Sequence, residues 1–163
     1  MSYDLTLFRP PPGVEPLEAW HRIEREEEGF LAVACDVQQV AGYLKHRVPG
    51  FVETILEDGS IQLIHDSQVD VLITEREVGM GMPYFRQEVE PMMTVISDCI
   101  DCLSGVGFVA YDPQFDKIVT AADFGAMTAH YRDTDKVLPH LVRDAQERKR
   151  AREAAAKPWW KFW

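Results

Sequence analysis

Cysteine is scarce in this chain. Cys35, Cys99 and Cys102 are the only three among 163 residues. An odd, small count argues against a disulfide framework and for a reducing compartment. Long apolar runs are missing too, since no stretch reaches the roughly 18–20 uninterrupted apolar residues of a membrane span. The opening Met1-Ser-Tyr-Asp-Leu-Thr-Leu-Phe8 has no basic n-region and carries Asp4, so it does not read as a signal peptide. These absences together predict a cytoplasmic protein.

The usual signatures of catalysis are also lacking. His21, His46, His65, His130 and His140 are scattered, with no H-x-x-x-H or H-E-x-x-H spacing. Ser60, Ser67 and Ser104 have no G-x-S-x-G context. Gly79-Met80-Gly81 is not a G-x-G-x-x-G, and no P-loop occurs. Cys99-Ile100-Asp101-Cys102 forms a C-x-x-C, but it falls two turns into an amphipathic helical pattern rather than at a helix start, where the dipole would activate a thiol. Both cysteines therefore read as packing residues, with Cys99 buried and unreactive. His46 and His65 do not make a second ligand pair that would complete a zinc site. No catalytic residue, metal or cofactor is expected.

What is present is an ordinary globular composition, 46% hydrophobic and 27% charged, enough for one core at this length. The formal net charge is −10, and it is unevenly placed. Residues 143–163 hold seven basic and three acidic groups, so the preceding 142 residues carry −14. An acidic body repels phosphate backbones and attracts basic partners, which disfavours direct nucleic-acid binding. The division expected is a domain over residues 1–142 and a basic, Trp-rich helix and tail over 143–163. Trp159, Trp160 and Trp163 there could touch a membrane surface or a partner.

Periodicity predicts an α+β fold. Residues 2–8 alternate as a strand, and residues 15–28 read as a helix ending in the acidic run Glu24, Glu26, Glu27 and Glu28. Those carboxylates would oppose the helix dipole. Asp36 caps a second helix that stops at Pro49-Gly50. Residues 51–85 predict an antiparallel meander, with strands at 51–56, 61–65 and 69–77 and an extended run over 78–85 that Gly79 and Gly81 would bend or bulge. Glu90 and Pro91 open the clearest helix, which Gly105 ends. Further strands fall at 108–111 and 118–120, and helices at 122–131 and 137–156. Pro113 must end its strand, and the Asp112 side chain can fix the turn by bonding the backbone two residues on.

Two stretches carry a resemblance. The start Met1-Ser-Tyr-Asp-Leu and the segment Gly107-Phe-Val-Ala-Tyr-Asp-Pro-Gln114 resemble small bacterial α+β proteins found beside toxins of interbacterial competition. The resemblance implies an immunity protein that binds a cognate toxin inside the producing cell and blocks it. The expected partner is a protein toxin with a basic surface. The residues expected at the interface are Glu24, Glu26, Glu27, Glu28, Tyr84, Phe85 and Gln114, which combine aromatic anchors with a charged rim. The alternatives are a thiol enzyme using Cys99 and Cys102, and a membrane-surface or scaffold adaptor working through the tail.

Overall fold

A computed structural model describes residues 2–84 and 89–155. Seven strands form one open antiparallel sheet in the order β2-β3-β4-β5-β1-β6-β7. They are β1 (Ser2–Phe8), β2 (Phe51–Ile55), β3 (Ile61–His65), β4 (Asp70–Ile73), β5 (Glu77–Pro83), β6 (Val109–Asp112) and β7 (Lys117–Val119). The helices are α1 (Pro16–Glu24), α2 (Val37–Arg47), α3 (Val89–Ser104) and α4 (Phe124–Ala155), with a 3-10 turn at Ala121–Asp123 leading into α4. This is the α+β architecture expected, with a meander over β2 to β5.

Period-two alternation decides what each side of the sheet does. Tyr3, Leu5 and Leu7 of β1 face the same way as Leu63, Val71, Met80 and Ala110, and pack under α2, α3 and the start of α4. The apolar stripe of α3, including Met92, Met93, Ile96, Cys99, Ile100 and Leu103, fills the middle of that core. On the opposite side, the described residues that cover the sheet, α1 and those around Phe30, lie over one end of it. Phe8, Ala19, Ala32 and Tyr111 form a second, smaller core there with Trp20, Ile23 and Ile118. Trp20 stacks on Tyr111 with ring centroids 4.8 Å apart.

Several elements differ from the sequence expectation. The strand expected over 69–77 is cut by a turn at residues 74–76, because Thr74 Oγ1 accepts from the N–H groups of Arg76 and Glu77. A Ser/Thr turn of this kind needs no Gly or Pro to mark it. Gly79 and Gly81 do not bulge. Both lie in unbroken register with β4 and β1. Helix α1 stops at Glu24, with Arg25 as its C-cap and Glu26 at φ 51°, so Glu26, Glu27 and Glu28 lie outside it and only Glu24 of the acidic run sits in its last turn. The two C-terminal helices are one, α4, which runs through Pro139.

Candidate functional site: the uncovered sheet face

Among the described residues, the helices leave half of one sheet face bare. Across β2 to β1 the exposed row reads Val52, Ile64, Asp70, Gly81, Asp4, each the Cα partner of the next. The adjacent row reads Thr54, Gln62, Leu72, Gly79, Thr6 and ends at Tyr111 beneath Trp20. Val52, Ile64 and Leu72 are 67%, 46% and 40% exposed. Three large aliphatics side by side on a sheet face form a patch, not the scatter of single apolar residues usual on a surface.

The two glycines turn this face into a trench. With no side chains at Gly79 and Gly81, an open depression of about 680 Å³ runs along β5, walled by Ile64, Asp70 and Leu72 on one side and Asp4 and Thr6 on the other. Asp70 accepts from Gln62 Nε2 at 3.0 and 2.9 Å, and Asp4 Oδ2 accepts from Ser2 Oγ at 2.9 Å. Neither carboxylate has a cationic partner among the described residues, and no Lys, Arg or His lines the trench.

The residues expected at an interface fare differently. Glu24, Glu26, Glu27 and Glu28 are exposed, but Glu27 is bound by the Arg22 guanidinium at 2.7 and 3.0 Å. That bond holds the Glu27 carboxyl below its ordinary range. Tyr84 is no exposed anchor. It is 8% exposed and stacked on Tyr131 at 5.0 Å, with its hydroxyl pushed up chiefly by burial. Its aromatic ring completes the core under α4, which is why it is unavailable to a partner. Phe85 lies outside the described residues, as do Trp159, Trp160 and Trp163.

Gln114 is exposed yet committed to its own turn. Its backbone N–H donates to Asp112 Oδ1 at 2.8 Å, the side-chain-to-backbone bond expected there. With its nitrogen turned toward the strand, as the neighbouring acceptors require, its carboxamide also reaches the Asp4 carbonyl at 3.2 Å. Asp112 itself is fully buried and accepts from the Tyr3 hydroxyl. Burial, then this bond and the carboxylate charge, drive the Tyr3 hydroxyl far above its ordinary range. The two segments that carry the sequence resemblance are therefore neighbouring strands locked together by Tyr3, Asp112 and Gln114.

The cysteines offer no activated thiol. Cys99 is buried, and desolvation pushes it up to about 12. Cys102 is half-buried beside Tyr43 and Arg47, and burial raises it as well, outweighing the lowering influence of those two neighbours. All three cysteines are free. Among the described residues, no helix is long and apolar enough to cross a membrane.

The trench was not legible as a site in the sequence. Its signal was the pair of glycines two residues apart inside a strand pattern, which marks close approach of a ligand or another chain as readily as it marks a bulge. Comparison with family models, with curated proteins and with solved structures finds no match.

Proposed function

We propose that this chain is a binding protein that neutralises a basic protein toxin of interbacterial competition by stoichiometric contact inside the cell that makes the toxin. The observation that supports this reading is the bare half-sheet, where Val52, Ile64 and Leu72 stand exposed beside the carboxylates of Asp4 and Asp70. An apolar centre with an acidic margin is the pattern of a protein interface for a cationic partner. The net charge of −10 favours fast encounter with such a partner. The resemblance of residues 1–5 and 107–114 supplies the toxin as the class of partner.

The test is a contact-dependent competition between the strain of origin and a derivative deleted for this gene. The deleted strain is expected to be killed by its parent and rescued by a plasmid copy. Equal survival of the two strains, with the toxin demonstrably delivered, removes the immunity reading.

A further inference from the structure

Gly79 and Gly81 have no conformational reason to be glycine. Neither adopts positive φ, and both pair regularly with β4 and β1. A Cβ at Gly79 would meet nothing closer than the Leu72 carbonyl at 3.9 Å, an ordinary contact. One at Gly81 would meet only the Asp4 carboxylate oxygen, at 3.2 Å, the free end of a flexible side chain. Gly50 provides the contrast, since its φ of 103° and the His65 ring 2.6 Å from a would-be Cβ both demand glycine. Glycine in a strand interior lowers stability and packs nothing. At positions 79 and 81 the fold accepts that loss without using it. What the two glycines provide is the empty trench.

The trench has a defined chemistry. Asp4 and Asp70 are both Cα partners of Gly81, from opposite sides and on the same face. Two strand spacings separate them, about 10 Å between Cα atoms. Their side chains therefore flank a gap in which a flat cation can face a carboxylate on each edge. A guanidinium carries donors on both edges of one plane, whereas an ammonium is a compact point charge. The glycine floor and the Leu72 side chain supply the apolar surface along which an arginine stem lies.

We propose that the Gly79–Gly81 trench seats an arginine side chain of the toxin, with its stem on the glycine floor and its guanidinium bridging Asp4 and Asp70. This rests on the immunity reading for the identity of the partner, and the test separates the two. The probe is the capped tripeptide acetyl-Leu-Arg-Leu-amide, titrated into the ¹⁵N-labelled full chain and followed by amide chemical shifts. Saturable shifts are expected at Gly79 and Gly81. They should be lost with citrulline in place of arginine, and weakened at least tenfold in the double variant Asp4→Asn/Asp70→Asn. Gly79→Val fills the floor with a strand-favouring residue, so its Tm should equal or exceed the parent's while peptide binding disappears.

Shifts confined to other acidic surfaces, no shifts at the two glycines, or equal shifts with citrulline overturn the proposal. So does a dimer, seen by sedimentation, that Gly79→Val abolishes, since it would put a second copy in the trench. In the competition assay, Gly79→Val should protect no better than an empty plasmid. Full protection by that variant, with the deleted strain still killed, overturns arginine docking and leaves immunity standing. Survival of the deleted strain removes immunity, and peptide binding then judges the trench alone.

Discussion

Asp112→Ala is expected to be the costliest single polar substitution in this protein. The Asp112 side chain is completely buried and accepts from the Tyr3 hydroxyl, the Gln114 N–H and, with the Gln114 amide turned as above, its side-chain nitrogen at 2.7 Å. Truncation strands the Tyr3 hydroxyl, itself on a residue with no exposure, where water does not reach it. A hydrogen bond to a charged group contributes about 1.5–3 kcal/mol, and leaving a buried donor without its acceptor costs a further ~1–3 kcal/mol. The expected loss is therefore about 2.5–6 kcal/mol, with the lower half favoured because the Gln114 N–H lies near solvent. At ~2–4 °C per kcal/mol for a chain of this size, Tm should fall by roughly 5–16 °C. Tyr3→Phe removes the donor but leaves the carboxylate its bonds from Gln114, so it should cost only about 1.5–3 kcal/mol.

The double variant gives the sharper measure. Once Tyr3 is Phe, no hydroxyl is left to strand, so Asp112→Ala should cost at least ~1.5 kcal/mol less than in the parent. Urea unfolding of the four proteins gives that coupling directly, provided the m-values agree. Additivity within about 0.5 kcal/mol would refute a direct Tyr3–Asp112 bond. An unchanged Tm for Asp112→Ala, with protection from the toxin abolished, would mean that Asp112 contacts the partner rather than holding the turn.

Other outcomes follow from the same geometry. Gly50→Ala combines a left-handed backbone with a clash against His65 and should cost about 1–3 kcal/mol by urea unfolding. Quantitative thiol labelling of the native protein should modify Cys35 and Cys102 before Cys99, whose thiol is pushed up to about 12 by burial; rapid labelling of Cys99 with an acidic pKa would contradict its place in the core. Asp123 is held below its ordinary range by Lys117 and then by the Thr120 N–H. A depressed carboxyl stabilises the fold above its unfolded value and loses that contribution as pH falls through the folded one. Asp123→Asn should therefore lower Tm at neutral pH, and the difference from the parent should shrink below about pH 4.

The large apolar periodicities were legible in sequence. Helix α3 emerged because Met92, Val95, Ile96, Cys99, Ile100 and Leu103 recur at helical spacing, and those same residues are buried. β1 alternates, and its odd residues enter the core. The Asp112 turn was legible because its bond is local. What failed depended on long-range packing or on turns without Gly and Pro. The hairpin at residues 74–76 hides behind Thr74, whose hydroxyl substitutes for a turn residue. Tyr84 looked like a surface anchor because its partner, Tyr131, lies 47 positions away in α4. The Asp4–Asp70 pair was invisible because only the register of both strands with Gly81 brings it together.

Site-directed photocrosslinking in the strain of origin tests the docking face most directly. A benzophenone amino acid replaces Leu72 on the trench wall, or Gln38 on the exposed surface of α2 on the opposite side of the sheet. Docking in the trench predicts a covalent adduct with the toxin from position 72, absent when the toxin gene is deleted, and none from position 38. An adduct from position 38 with nothing at 72 would place the toxin on the helical face and contradict binding through the bare sheet.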